Sequence, residues 1–299
     1  MKYLGLASLH KPNLAIQLFL KRKFAISSTG DHIERTKINY RQNKMSAATV
    51  IEKKNLSPTV IGLKLRVEDH SLTFFAGQWV DVFIPNVNQV GGFSMHSPPW
   101  LLEQSHQIDL AVKKSSWPPA QWVHSSCKVG DKLQIRVGGD FYYDPPSNVP
   151  IPDMIFIAGG VGINPLLSIL LQLKHHFHIP NNEKYMPKNI TLLYSAKQKE
   201  ELLFQDTISQ LKNGPLKSFD YRFFVTRLTA SNDHQCGQTG SQLREGRLME
   251  KDLQLAISKS DIDNVICFIC GPPPMTDAFH SQLIKMGVTA KQIKYEKWW

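Results

Sequence analysis

A glycine-rich segment lies between an apolar run and a helical pattern and is the strongest chemical signal in the sequence. It comprises Gly159, Gly160, Val161, Gly162, Ile163, Asn164 and Pro165. Glycine lets the backbone turn sharply and approach a ligand without a Cβ in the way. Asn164 is a competent N-cap residue, and Pro165 suits a first helical turn, where its missing N–H is not needed. Because a helix start offers free N–H groups to a phosphate, the segment predicts a dinucleotide-binding turn. A tight turn without a ligand is the alternative.

A second turn of similar design follows the apolar run at 265–270. It holds Gly271, Pro272 and Met275, and three consecutive prolines at 272–274 stiffen it. The carboxyl ends of parallel strands meet at one edge of a sheet, so we expect the two turns to bind one set of phosphates together. A purely structural turn is again the alternative.

The cysteines and histidines do not form a metal-binding pattern. Cys267 and Cys270 have the spacing of a metal motif, but they lie in an apolar run without a second pair. Zinc and iron–sulfur sites need four ligands, so buried strand cysteines are predicted. The eleven histidines show no metal spacing. We therefore expect no metal.

The net charge of +10 is concentrated at the N-terminus. Residues 1–44 hold nine Lys or Arg against two acids and carry +7, which leaves +3 for the rest. That remainder contains no basic stripe, which argues against a nucleic-acid partner. No segment approaches the roughly eighteen consecutive apolar residues of a membrane span.

The first thirty residues are basic, rich in leucine and hydroxyl side chains, and free of acids. This composition is typical of a mitochondrial transit peptide. A secretory signal and an untargeted tail are the alternatives. We therefore expect residues 1–45 to be a targeting or disordered segment of a mitochondrial protein.

The remaining chain divides near residue 150. Short β-branched or alternating runs predict strands at 49–53, 60–67, 72–75, 79–84, 108–113 and 132–137. Six short strands predict a small antiparallel β-barrel over 46–150. Four prolines within 144–152 predict a linker.

Strands and helices alternate after the linker. Strands are predicted at 154–158, 190–194, 221–225 and 265–270, and helices at 165–176, 200–212, 248–259 and 275–286. Strands that are apolar throughout predict a parallel sheet covered on both faces. The expected fold is therefore a six-stranded antiparallel barrel followed by a doubly wound α/β domain at 151–299.

These motifs and their order resemble the ferredoxin–NADP reductase superfamily across residues 47–299. The turn at 158–165 resembles its Gly-Gly-x-Gly-x-x-Pro nicotinamide-nucleotide motif, and 270–275 resembles its Cys-Gly-x-x-x-Met motif. In the barrel, 75–80 and 92–97 resemble the Pro-Gly-Gln and Arg-x-Tyr-Ser/Thr segments. The resemblance implies a barrel that binds FAD, with the flavin facing NAD(H) or NADP(H) across the domain interface.

The resemblance also implies roles for residues of the barrel. Phe93 would stack on the isoalloxazine, Ser94 would hydrogen-bond its N5 edge, and Met95 belongs to the same FAD-binding segment. Two departures stand out: Gly91 occupies the position of the arginine that pairs with the FAD pyrophosphate, and 115–120 replaces a glycine-rich phosphate loop. Weaker FAD binding, or binding through other residues, is expected. The candidate substitutes are Lys113, Lys114 and His96.

In the second domain, the resemblance implies a Cys270 thiol beside the nicotinamide as a positioning contact, not a nucleophile. Trp298 would cover the flavin, with Trp299 as the alternative, and Glu296 would be an acid near the flavin edge. An inert thiol and structural tryptophans are the alternatives.

The choice between NAD and NADP is left open, with NAD preferred. Cationic and polar side chains that could meet a 2′-phosphate are Ser195, Lys197, Lys199, Thr226 and Arg227. Acids at Glu200 and Glu201 lie close to them in the sequence.

Two functions fit these observations. The first is a flavin-linked NAD(P)H oxidoreductase that transfers hydride between nicotinamide and FAD and passes electrons to an unidentified acceptor. The second is a non-catalytic nicotinamide-nucleotide sensor or assembly factor with a degraded flavin site. The nucleotide turns and the C-terminal tryptophan favour the first, whereas Gly91 and 115–120 favour the second.

Overall fold

The structure is a computed structural model that describes residues 31–144, 150–178, 185–214, 216, 218–227 and 242–298. The expected targeting sequence at 1–30, residues 145–149 of the expected linker, Cys236 and Trp299 lie outside the described residues. Within the described ranges, no helix is both long and apolar enough to cross a membrane.

The chain divides into two compact units, residues 1–37 and 38–299. The described part of the first contains the short helix α1 (His32–Arg35). In the second unit, Arg41 pairs with the buried carboxylate of Asp81 at 2.8 Å, and the Gln42 N–H donates to the carbonyl of Val137. Residues 41 and 42, which the sequence analysis placed in the targeting or disordered segment 1–45, therefore pack on the antiparallel sheet described next. Arg41 completes a buried ion pair there.

The first sheet is antiparallel and closes into a barrel. Its strands are β1 (Ser46–Ser57), β2 (Val60–Val67), β3 (Trp79–Phe83), β4 (Gly91–Ser94), β5 (Gln107–Lys113) and β6 (Lys132–Gly138). Their order in the sheet is β4-β3-β6-β1-β2-β5, and a bridge between Met95 and Leu110 joins the end of β4 to β5. Two helices connect these strands, α2 (Pro99–Ser105) and α3 (Pro118–Ser125).

One predicted strand of the barrel is wrong. Residues 72–75 form a loop into a turn at Gly77, which has φ of +105°, and the Gln78 side chain accepts a hydrogen bond from the N–H of Phe75. The sixth strand is instead β4, whose two glycines are poor strand formers. Pairing with β3 supplies the backbone hydrogen bonds that its residue types do not predict.

The second sheet is parallel. Its strands are β7 (Asp153–Gly159), β8 (Ile190–Ala196), β9 (Phe219–Val225), β10 (Leu243–Glu245), β11 (Val265–Gly271) and β12 (Ile293–Lys297). Their order in the sheet is β10-β9-β8-β7-β11-β12. The chain enters at the centre, runs outward to β10 and returns to the other side of β7, which places the switch point between β7 and β11.

Helices cover both faces of this sheet. Phe156 and Ala158 pack with one pair of helices, while Ile155 and Ile157 of the same strand pack with the other pair. The first pair is α4 (Ile163–His178) and α5 (Gln205–Lys212), and the second pair is α6 (Glu250–Ser258) and α7 (Pro273–Lys285). The doubly wound class is therefore confirmed.

The helix predicted at 200–212 is interrupted. A single 3-10 turn (Lys199–Glu201) comes first, Phe204 has φ of +60°, and α5 begins after it. The buried Tyr194 hydroxyl accepts a hydrogen bond from the Leu203 N–H, and the Glu201 carboxylate accepts one from Thr59 of the barrel. These long-range contacts stop a helix that local propensity favours.

Candidate functional site

The two glycine turns lie side by side at the carboxyl edge of the parallel sheet. Ala158 and Cys270 are register partners on β7 and β11, so Gly159 and Gly271 follow at the same edge. A Cβ at Gly159 would lie 2.7 Å from the Met275 sulfur, and one at Gly271 would lie 2.5 Å from the Met275 terminal carbon. Met275 therefore closes the gap between the turns, and no larger residue fits either strand end without displacing it.

Gly160 and Gly162 serve different purposes. A Cβ at Gly162 would lie 2.2 Å from the Cys270 carbonyl oxygen, so this glycine lets the helix start pack against β11. Gly160 has φ of +55° and nothing within 4 Å of the same construction. The open position is therefore Gly160, where a ligand can approach the backbone.

The helix begins earlier than expected. A single 3-10 turn (Gly160–Gly162) leads directly into α4 at Ile163, so Asn164 lies inside the helix and is not its N-cap. Its buried side-chain amide donates to the Ala111 carbonyl of the barrel at 2.9 Å, and its Oδ1 has no hydrogen-bond partner among the described residues. The tertiary contact with the barrel outweighs the local capping preference. The Ile163 N–H already donates to the Gly160 and Val161 carbonyls, so the N–H groups that precede it, at Gly160 and Val161, are the ones available to an anion.

The other predicted residues of these turns differ in exposure. Ile163 and Pro165 are buried in the helix base, and Val161 is partly buried against the core. Pro272 is exposed on the second turn. Ile163 and Pro165 therefore shape the turn, and their side chains are not presented to a ligand.

Trp298 lies against the end of β11. Its backbone N–H donates to the Gly271 carbonyl, and its indole Nε1 donates to the Cys270 sulfur at 3.1 Å. Burial, reinforced by the charge of Glu296, raises the pKa of the Cys270 thiol well above its ordinary value. A thiol that stays protonated is a contact group and not a nucleophile.

Glu296 connects the C-terminal strand to the barrel through Trp79. Burial raises the pKa of Glu296 to about 8, while a hydrogen bond with Trp79 lowers it and the charge of Asp140 raises it further. Trp79 is fully buried and stands opposite Ser94 in the β3–β4 ladder. Ser94, Glu296, Cys270 and Trp298 are thus brought to one junction between the two sheets.

Two polar atoms of this junction have no hydrogen-bond partner among the described residues: Ser94 Oγ and Glu296 Oε2, both buried. Buried polar atoms are ordinarily paired, so such atoms need an explanation, and a ligand is one. Trp79 is the residue at this junction that sequence reasoning missed. It lies in a quoted barrel segment, but its partner Glu296 is 217 positions further along the sequence, and only the tertiary fold brings the two together.

The region expected to bind the FAD pyrophosphate is apolar and filled. The Phe93 ring lies over Gly91: a Cβ at that glycine would lie 2.5 Å from the ring and 3.0 Å from the Pro119 Cβ. Phe93 and Trp117 pack on the barrel core. We call residues 91–93 and 115–120 the barrel corner.

Other predicted residues are placed as follows. Met95 is fully buried in the barrel core, so its side chain is not available to a cofactor. Thr226 and Arg227 follow β9 at the same edge as the glycine turns, are exposed, and donate their N–H groups to Ala196 and Lys197. No group of three or more potential metal ligands occurs in the part of the chain that the structure describes.

Comparisons with known proteins agree with this architecture. Residues 156–281 match the family model described as "Oxidoreductase NAD-binding domain". The chain is 41% identical over 292 residues to the "Oxidoreductase NAD-binding domain-containing protein 1" of Xenopus tropicalis, covering 96% of this chain and 90% of the relative. The Homo sapiens protein of that name is 43% identical over 271 residues, with 90% and 85% coverage.

Solved structures share the fold. A ferredoxin NADP+ reductase from Neisseria gonorrhoeae with bound FAD and NADP superposes with a TM-score of 0.65 and 20% identity, over 86% of this chain and 99% of that one. At that identity the likeness concerns the fold alone. The barrel followed by a nucleotide-type parallel sheet is therefore the fold of ferredoxin–NADP reductase relatives.

Proposed function

This chain belongs to the family of oxidoreductase NAD-binding domain-containing protein 1, and from that premise we propose that it is an NAD(P)H-dependent flavin oxidoreductase. Electrons pass from the reduced nicotinamide to a flavin and from there to a separate acceptor. The observation that carries the proposal is the junction at which Ser94, Glu296, Cys270 and Trp298 meet beside the glycine turns.

The nucleotide end of the proposal rests on backbone recognition. The open Gly160 lets a pyrophosphate reach the N–H groups of the turn, and Met275 holds the second turn against it. Pairing of β7 with β11 gives the turns a rigid spacing. At the nucleotide end, the chain fixes the position of the nicotinamide. Positioning lowers the barrier to hydride transfer by more than an acid or base supplied by the chain would.

The ring end of a flavin fits the residues of the junction, because the unpaired Ser94 Oγ supplies a hydrogen-bonding group and Trp298 supplies an aromatic face. When bound, the nicotinamide supplies the hydride and the flavin accepts it. Cys270, kept as a neutral thiol, adds no charge beside a cationic nicotinamide ring. Glu296, with its raised pKa, holds a proton at neutral pH within the junction.

The test is anaerobic mixing of the protein with FAD and NADH while the visible absorption of the flavin is followed. We expect the absorption to bleach with protein and to persist without it. The variant Gly160→Ala should lower the apparent affinity for NADH roughly tenfold or more, because a Cβ projects into the open approach to the backbone.

Gly130→Ala is the matched control, because Gly130 also has a positive φ and an open Cβ position but lies in a barrel turn. Equal NADH affinities in the two variants would show that the nucleotide binds elsewhere. If NADH binds but the flavin stays oxidised, the chain is the non-catalytic nicotinamide-nucleotide sensor, which the filled barrel corner favours.

A further inference from the structure

We infer that the flavin is an exchangeable substrate of this protein, recognised by its isoalloxazine ring, so that riboflavin, FMN and FAD bind with similar affinity. This inference rests on the proposed function and deepens it. It comes from the barrel corner, where, within the described residues, position 91 has no side chain and the start of α3 keeps one free backbone donor.

The first missing group is a cationic side chain at position 91. Gly91 has no side chain, and the space above it is taken by the Phe93 ring and Pro119. Phe93 is itself anchored on the barrel core. A phosphate at this place would meet carbon atoms rather than a guanidinium.

The second missing group is a set of backbone donors at the start of α3. Pro118 and Pro119 have no N–H, and the Trp117 N–H donates to the Ser115 hydroxyl at 3.3 Å. The Gln121 N–H is used inside the helix by the Trp117 carbonyl. A helix start normally offers several free N–H groups to an anion, but here Ala120 alone of residues 117–121 keeps one.

The basic side chains nearby do not replace these groups. Lys113 is 3.4 Å from the Glu201 carboxylate, which holds it against the second domain. Burial lowers the pKa of His96 to about 3, so its ring is neutral, and it packs on Phe204 at a centroid distance of 4.6 Å. Of the three substitutes considered from the sequence, the exposed Lys114 is the remaining candidate.

What remains for recognition is common to all three flavins. The unpaired Ser94 Oγ, the Glu296 carboxyl and the Trp298 indole lie at the junction between the sheets, and they are groups that an isoalloxazine ring, rather than a phosphate tail, would engage. Because these groups contact the ring, the free energy of binding does not depend on the length of the tail.

The reaction uses one reduced nicotinamide nucleotide, one oxidised flavin and one proton. A hydride leaves C4 of the reduced nicotinamide and forms a bond to flavin N5, and one proton from solvent completes the dihydroflavin. The products are the oxidised nicotinamide nucleotide and a reduced flavin that dissociates to deliver two electrons to its acceptor.

Equilibrium binding of riboflavin, FMN and FAD to the full chain, measured by quenching of flavin fluorescence, tests this. We expect dissociation constants within about fivefold of one another and little change with salt, since no charged contact is screened. A pyrophosphate clamp would favour FAD over riboflavin by roughly 10- to 100-fold, and that result would overturn the inference while leaving the proposed function intact.

The Lys114→Gln variant tests whether Lys114, the remaining basic candidate, holds a flavin phosphate. We expect its FAD affinity to match that of the wild type, with the exposed Lys128→Gln as control; a tenfold loss in Lys114→Gln alone would show that a phosphate is held there. Multiple-turnover NADH oxidation should also rise with added riboflavin to saturation. If none of the three flavins binds while NADH does, the proposed function itself fails.

Discussion

The glycine turns of the α/β domain and the barrel corner are the two places where the sequence led us to look for phosphate binding, and they differ in the groups that they offer. The turns offer backbone N–H groups beside an open Gly160. At the corner, Gly91 removes the side chain and two prolines remove backbone donors. The proposed function therefore uses the glycine turns as its phosphate site and does not use the barrel corner.

The difference follows from how each site is tied to the fold. Gly162 must be small for α4 to pack on β11, so most of the nucleotide turn is required for folding whether or not a ligand binds. A clamp made by one side chain at position 91 has no such role. In this chain the space above Gly91 is occupied by Phe93 and Pro119. Recognition by the backbone is thus coupled to stability, whereas recognition by a side chain is not.

The largest expected effect tests that coupling. Gly162→Ala should lower the free energy of unfolding by about 3 kcal/mol or more, because its Cβ would overlap the Cys270 carbonyl. Gly130→Ala, with open space around its Cβ, should lose only about 1 kcal/mol. Urea unfolding measures both. Similar losses would mean that the glycine turn is not needed for packing, and the comparison of the two sites would lose its physical basis.

The second effect concerns Glu296, which lies where the two regions meet. Its folded-state pKa of about 8 exceeds the ordinary 4.5, so the folded protein keeps a proton that the unfolded chain loses between those values. Stability should therefore fall as the pH rises from about 5 to 8, and Glu296→Gln should remove roughly 3 to 4 kcal/mol of that fall. The exposed Glu245→Gln serves as control in urea titrations at both pH values. Parallel pH profiles for wild type and Glu296→Gln would indicate a solvated carboxylate.

The smallest effect concerns the unpaired hydroxyl of Ser94 at the junction between the two sheets. Ser94→Ala should leave stability unchanged or raise it by up to about 1 kcal/mol, because it removes a buried hydroxyl without a partner. Ser168→Ala removes a hydroxyl that donates to the Ser97 carbonyl at 2.7 Å and should cost about 1–2 kcal/mol. Calorimetric unfolding of both variants without ligand separates the cases. A clear loss in Ser94→Ala would mean that the hydroxyl is already satisfied in the free protein.

Much of the fold could be predicted because its signals are local. Apolar strands that alternate with helical patterns predicted the parallel sheet, and β-branched runs predicted five of the six barrel strands. The sixth was misplaced, because β4 is held by pairing with β3 and not by its residue types. The N-cap assigned to Asn164 failed for a related reason: the barrel carbonyl that binds its side chain is 53 residues away.

The amino-acid sequence by itself determined where the chain turns at Gly159–Gly162 and at Gly271, since glycine and proline restrict the backbone wherever they occur. Folding alone decided which of these glycines packs and which stays open, and it alone brought Glu296 to Trp79 and the Phe93 ring over Gly91. Those relations join residues that lie on different elements, so their energies depend on the packed arrangement and have no counterpart in local residue preferences.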